Sequence, residues 1–348
     1  MRKVADETLF KLIHDFLVVY LPSQRNSSPN TIRAYRGSLE MLLDFVKQQN
    51  KIPLYKISFR MLNEKTVSAF LDSLETERGC GISTRNHRLK CIRAFLKYAA
   101  MTEPTTIVFQ TELFKIPVKK DSERGQVEYM SEAAVRALLS EPDADSKMGL
   151  RNRFFMILAY DTAARIQELV DLRLRDIRLG KTPTIVVTGK GSKTRTIPLM
   201  KPTVLHLDHY LNAFHSGENL LSERPLFYSI RGGVPKALSC DSIRKWMKKC
   251  GTAAREKCRE IPEIVHPHLF RHSRAMHLYQ NGMDLTLISQ WLGHAQLETS
   301  LIYAHADTEQ KRTAIEKATP QSSLLHEHPQ SRFDVNDDEV LKRLYGLR

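Results

Sequence analysis

The chain has 348 residues, of which 42% are apolar, enough for two domains with real cores and a tail. No apolar run reaches the length of a membrane span, and Met1-Arg2-Lys3 leads into Asp6 and Glu7 rather than into the apolar core of a signal peptide. The net charge of +14 is carried by the first hundred residues and the middle, not by residues 319–348, which suits two basic lobes gripping a polyanion. Five cysteines (Cys80, Cys91, Cys240, Cys250, Cys258) lack C-x-x-C spacing and read as reduced thiols of a cytoplasmic protein.

In chain order, Leu9, Phe10, Ile13, Phe16, Leu17 and Tyr20 predict an amphipathic helix over residues 5–20. A Ser27–Thr31 loop leads into a second helix with Leu39, Leu42, Leu43 and Val46 on its stripe. A third helix covers residues 63–75, broken by Gly79 and Gly81. The fourth covers residues 83–100, with Ile92, Phe95, Leu96 and Ala99 inward and Arg85, Arg88, Lys90, Arg93 and Lys97 as a basic side. That side is the candidate for contact with a nucleic-acid groove. Residues 115–128 are polar and aperiodic and read as a linker.

Beyond it, Ser131 is placed to cap a helix through Leu139, and helices follow near 153–160 and 166–172. Residues 184–188 and 194–199 alternate as two strands, joined by the turn Gly189-Lys190-Gly191-Ser192-Lys193. The segment from Pro225 through Ile230, followed by Arg231-Gly232-Gly233, predicts a short strand and turn. Helices are expected at 202–214, 240–256, 271–281 and 284–291. Residues 319–335 are polar, and residues 337–347 regain an apolar pattern through Val340, Leu341, Leu344 and Leu347. The fold class is therefore mainly α with a small antiparallel β-sheet.

The polar residues that carry chemistry stand in a definite order: Arg165, Lys190, His268, Arg271, His294, Tyr303. Two guanidinium groups grip phosphate oxygens bidentately. A lysine or histidine moves a proton, and a phenol can attack phosphorus. Glu168, three residues past Arg165, is placed to orient it, and Lys193 and Arg195 are placed to meet phosphates. A zinc reading through His268 and His272 lacks a third ligand and faces the positive charge of Arg271 and Arg274. Each residue has an ordinary structural reading by itself. The ordered set points to phosphoryl transfer on nucleic acid without a metal.

Four segments then carry a resemblance: A-R-I-Q-E-L at 164–169, G-K-G-S-K-T-R-T-I-P-L at 189–199, H-P-H-L-F-R-H at 266–272 and L-G-H-A-Q-L-E-T-S-L-I-Y-A-H at 292–305. Together they resemble the tyrosine recombinases, or phage integrases, over most of residues 5–318. Residues 28–36 and 83–99 resemble that family's helical core-binding domain. The resemblance implies a SAM-like helical DNA-binding domain at 1–114, a linker at 115–128, a mixed α/β catalytic domain at 129–318 and a tail at 319–348, closing as a C-shaped clamp on duplex DNA. It implies that Tyr303 is the nucleophile forming a 3′-phosphotyrosyl link, and that Arg165 and Arg271 clamp the scissile phosphate. It makes Lys190 the general acid, His268 the proton-transfer partner of Tyr303, and His294 a phosphate ligand. No metal, ATP or other cofactor is implied.

The implied partners are double-stranded DNA with specific sites and a homo-tetramer on two sites, or a hetero-assembly with related recombinases. The implied setting is the prokaryotic cytoplasm, without a membrane. A type IB topoisomerase shares this chemistry, and an idle DNA-binding regulator shares the fold. One departure concerns the family's Thr-Gly-x-Arg, which here is Thr162-Ala163-Ala164-Arg165; an alanine is expected to fit with negative φ. The other is residues 319–348, whose 337–347 stripe is expected to dock on a neighbouring subunit.

Overall fold

A computed structural model describes residues 4–120, 127–189, 191, 193–293, 301–306, 312 and 338–347. The chain forms two compact units, residues 1–124 and 125–348. The architecture is mainly α with small antiparallel sheets, as the sequence pattern predicts.

The first unit is all-helical. Asp6 accepts from the Leu9 amide and starts α1 (Glu7–Asp15), which continues as a π-helical stretch over Phe16–Gln24 that contains Pro22. The single helix predicted over 5–20 thus changes its winding half-way. Ser28 caps α2 (Pro29–Gln49), with Pro29 at the first turn, where its missing N–H has no role in the ladder. Asn63 caps α3 (Glu64–Thr76), and α4 (Ile82–Thr102) follows. A further helix, α5 (Ile107–Phe114), has no counterpart in the sequence reading, because its apolar residues follow no helical period. Leu9, Leu42, Val67, Phe70, Leu89 and Phe95 are among the residues of its core.

The segment just past α5 is held against α3 and α4. Asn86 pairs with both the amide and the carbonyl of Lys119, Arg85 donates to the Pro117 carbonyl, and Lys119 Nζ meets Glu75. The early part of the expected linker is thereby tied down through its own backbone groups.

The second unit is built around α7 (Lys147–Thr162), which Ser146 caps and which buries Phe154, Phe155, Met156, Leu158 and Ala159 on nearly every side. It packs on α6 (Glu132–Ser140), α9 (Lys201–Phe214) and α11 (Pro267–Gln280). Between α8 (Ile166–Val170) and α9 lies a three-stranded antiparallel sheet: β1 (Ile177–Arg178), β2 (Thr184–Thr188) and β3 (Thr194–Pro198). Register pairs Ile185 with Ile197 and Val187 with Arg195; Ile185, Val187 and Ile197 face the core. The Gly189 amide bonds to the Lys193 carbonyl and closes the β2–β3 turn.

A second hairpin, β4 (Tyr228–Arg231) and β5 (Val234–Ala237), turns at Gly232 and Gly233, both in the left-handed region that the turn requires. The helices α10 (Cys240–Lys257), α12 (Leu285–Leu292), α13 (Leu301–Ala306) and α14 (Asp338–Leu344) follow in the second unit. No described helix is long and apolar enough to cross a membrane. Residues 319–335, expected as a polar stretch, lie outside the described residues.

Candidate active site

The site is assembled where α7 ends. Thr162 is its last residue, and Ala163 takes the left-handed conformation at φ 50° and ψ 24°. This corrects the expectation of a negative φ at the position where the family places glycine. The turn from α7 into α8 demands a left-handed residue, and alanine meets it at a cost of about 1–2 kcal/mol. Its methyl group is fully buried against a small cluster that also holds Ala275, Met276, Ile288, Leu292 and Tyr303, so packing offsets part of that cost.

Arg165 caps the start of α8, and its backbone amide donates to Glu168 Oε2 at 2.8 Å. Its guanidinium donates to Glu168 Oε1 at 2.9 Å, with 37% of the side chain open to solvent. Glu168 is buried and accepts in addition two bonds from Arg195, at 3.0 and 2.8 Å. Burial alone would raise this carboxyl, but the hydrogen bonds from Arg195 and Arg165 outweigh it and bring its pKa down to about 2. Glu168 thus supports Arg165, as its spacing predicts, and also ties β3 to α8.

Arg271 is buried on α11. It donates to the carbonyl of Ala163 at 2.7 Å and to that of Leu292 at 2.6 Å. One guanidinium thereby fastens the segment that leads into Arg165 to the end of α12. Desolvation, then the charge of Arg165, lowers Arg271 to about 10, so it stays protonated at neutral pH while its charge is poorly solvated. Such a group gains most from an anion.

Tyr303, on α13, is fully buried in this structure. Burial raises its pKa to about 12, with Arg271 offsetting only part of the effect. Its hydroxyl lies 3.1 Å from Nδ1 of His272. His268 keeps a solvent-facing side, and its pKa is lowered by partial desolvation and then by Arg271. The ring hydrogen-bonded to Tyr303 here is that of His272, a residue that the sequence reading gave no part in the site. Sequence carried one signal for it: His272 follows His268 by four residues and so shares its helix face.

Lys190 and His294 lie outside the described residues. Their flanks are described. Gly189 lies against Glu168, and Gly293 ends α12 at φ 63° and packs on Arg195. Among the described residues, no group of three His, Cys, Asp or Glu side chains is placed to hold a metal ion.

The chain from residue 128 to 310 matches the model of the phage integrase family, and residues 14–103 match its N-terminal SAM-like domain. The chain belongs to the phage integrase family. It is 32% identical to a putative integrase/recombinase, y4rC, of Sinorhizobium fredii, over 98% of each chain. It is 29% identical to the tyrosine recombinase XerD of Staphylococcus haemolyticus, over 89% of this chain and 99% of the relative. In fold it is similar to the XerH site-specific recombinase, solved bound to palindromic difH substrate, with a TM-score of 0.66 at 22% identity over 91% of each chain.

Against this family frame, the candidate DNA contacts divide. Lys90 and Lys193 are exposed. Arg85 is buried and held by the Pro117 carbonyl and Asn86, because it lies four residues before Leu89 on the inward stripe of α4. Arg88 donates to Ser38, and Arg93 donates to the carbonyls of Leu113, Phe114 and Ile116. Arg93 thus caps the end of α5, where a cation opposes the negative pole of the helix. Arg195, expected to meet phosphates, has all three guanidinium nitrogens on Glu168 and the Trp291 carbonyl. These four arginines brace the fold, a role that sequence position alone does not distinguish from a surface one.

Proposed function

We propose that this phage-integrase-family enzyme cuts and rejoins duplex DNA at specific sites through a 3′-phosphotyrosyl intermediate on Tyr303. Arg165 and Arg271 hold the non-bridging oxygens of the scissile phosphate and stabilise the charge that develops there. The Tyr303 oxygen attacks phosphorus, and Lys190 protonates the departing 5′-oxygen. His268 assists in taking the proton from the Tyr303 hydroxyl, and His294 hydrogen-bonds the phosphate. A 5′-hydroxyl from the partner strand then reverses the step, so the bond energy is kept in the phosphotyrosine. The DNA partner is a duplex carrying specific sites. The working assembly is four protomers on two such sites, either four copies of this chain or a mixture with a related recombinase, in a prokaryotic cytoplasm.

The observation that carries this reading is the double tether of Arg271. By gripping the Ala163 and Leu292 carbonyls it brings the segment of Arg165 and the segment leading to His294 to one guanidinium, with Tyr303 in the same packed cluster. Trapping on a nicked duplex tests it. The wild-type protein is expected to form a covalent complex on a site that it protects from nuclease, and Tyr303→Phe to form none while binding the duplex equally. Trapping that survives Tyr303→Phe places the nucleophile elsewhere. Strand exchange between two sites, rather than relaxation of a supercoiled circle, separates a recombinase from a topoisomerase.

A further inference from the structure

The end of α12 gathers arginines from three other elements. Three successive carbonyls there are capped in turn: Trp291 by Arg195 Nε at 3.1 Å, Leu292 by Arg271 at 2.6 Å and Gly293 by Arg165 at 3.4 Å. Cations suit this place, because the last carbonyls of a helix lack ladder partners and carry partial negative charge. Arg165 and Arg271 are the phosphate clamp of the mechanism above. Arg195, the one that comes from the β2–β3 hairpin, has no part in it.

The contacts of Arg195 reach every described side of the site except Tyr303. Its two terminal nitrogens take the two oxygens of Glu168, the carboxylate that also orients Arg165. Its side chain packs on Gly293, where an added methyl group would lie 3.1 Å from its Cδ and Nη1, and a methyl group on Gly189 would lie 3.8 Å from the same Nη1. Among the described residues, the hydrogen bonds from the hairpin to α8 and to α12 are all made by this one guanidinium. The strand ladder itself ends at the Thr188–Thr194 pair and fixes the shape of the hairpin rather than its aim. With 16% of its side chain exposed and all three nitrogens engaged inside the protein, Arg195 is turned away from DNA.

We propose that Arg195 is a positioning residue for DNA cleavage: it fastens the β2–β3 hairpin and the end of α12 to the carboxylate that holds Arg165, so that leaving-group protonation from the hairpin and charge stabilisation by the arginines act on one phosphate. The proposal rests on the recombinase reading given above. Its physical basis is that a general acid must stand within hydrogen-bond reach of the 5′-oxygen while the clamp holds the non-bridging oxygens. A misplacement of about 1 Å is enough to slow such a step about 100-fold. A lysine in place of Arg195 keeps the charge but has one nitrogen, so it cannot hold both Glu168 oxygens and the Trp291 carbonyl in the same plane.

The test uses full-length protein and a nicked duplex bearing the sequence that the protein itself retains from a pool of random duplexes. Two versions are made, one with the ordinary 5′-oxygen at the scissile phosphate and one with sulfur in its place. A thiol has a pKa of only about 8.5, so sulfur leaves as the thiolate and needs no proton. Binding at several salt concentrations, the rate of covalent-complex formation and the melting temperature are measured for wild type, Arg195→Lys, Arg195→Ala, Lys190→Ala and Tyr303→Phe. Both Arg195 variants are expected to bind with the salt dependence of wild type and to form the complex up to about 100-fold more slowly on the oxygen duplex. Sulfur should remove the larger part of that deficit. A wild-type rate for Arg195→Lys on the oxygen duplex overturns the proposal. A deficit of equal size on both duplexes assigns Arg195 to general stability and also overturns it. A salt slope of binding reduced by about one makes Arg195 a phosphate contact, which overturns it as well. If the alanine variant melts below the assay temperature, the lysine variant decides by the same comparisons. A Lys190→Ala deficit that sulfur does not relieve, or a complex formed by Tyr303→Phe, overturns the parent reading instead.

Discussion

Glu168 is where charge and packing meet most tightly. Its carboxylate is 3% exposed and receives four hydrogen bonds from Arg165 and Arg195. Its folded pKa of about 2 lies below its ordinary 4.5. The stabilisation is therefore fully present above about pH 4.5 and is lost as pH falls towards 2. The shift corresponds to about 3 kcal/mol. Glu168→Gln keeps the shape and removes the charge, leaving two guanidinium groups facing each other, for which about 3–5 kcal/mol of destabilisation is expected at pH 7. Chemical denaturation at several pH values checks the sign: the gap between wild type and variant should shrink below pH 4, and a gap independent of pH would contradict the assigned pairing. Ala163 shows the opposite balance at the same scale. Its left-handed backbone is strained, yet its carbonyl is the one that Arg271 needs.

Among the elements, the β2–β3 hairpin matters most, because its turn begins at Gly189 beside the site. A methyl group at Gly189 would lie 2.9 Å from Glu168 Oε1. That oxygen ends a flexible side chain, but hydrogen bonds from both arginines prevent it from withdrawing freely. Gly189→Ala is expected to cost about 1–3 kcal/mol and to slow covalent-complex formation without abolishing DNA binding. Thermal melting and trapping on the nicked duplex check both parts, and an unchanged melting temperature would show that the carboxylate moves at no cost. Helix α4 teaches the reverse lesson about reading an element. Arg85, Leu89, Ile92, Leu96 and Ala99 form one inward stripe, all buried. The period that predicted the helix also predicted the burial of Arg85, but its charge suggested the surface.

At the scale of the molecule, each unit keeps its own core: the cluster of Leu9 through Ile116 in the first, and the clusters of Met130 through Phe270 and of Ala163 through Tyr303 in the second. Beyond them stands α14, followed by Gly346 in a left-handed turn. Leu344, Tyr345 and Leu347 are each more than 70% exposed. Three neighbouring large apolar side chains in water fit a segment completed by another protomer. Deleting residues 319–348 is expected to weaken assembly of protomers on DNA while a single protomer still binds one site. Gel mobility with one-site and two-site duplexes measures this, and unchanged assembly would remove the tail from the interface.

The sequence by itself determined the helical periods, the strand pair around Gly189 and Gly191, the Arg165–Glu168 pair and the spacing of His268 and Arg271. All of these are local, because helix and strand geometry places residues two to four apart without help from the rest of the chain. The tertiary structure alone decided which histidine meets Tyr303, since 31 positions separate His272 from it. It also decided that Arg195 braces Glu168 rather than reaching outward, and that Arg271 holds the Ala163 and Leu292 carbonyls. A charged side chain reads alike in sequence whether it meets solvent, DNA or a buried partner, and only packing supplies the desolvation that separates these fates.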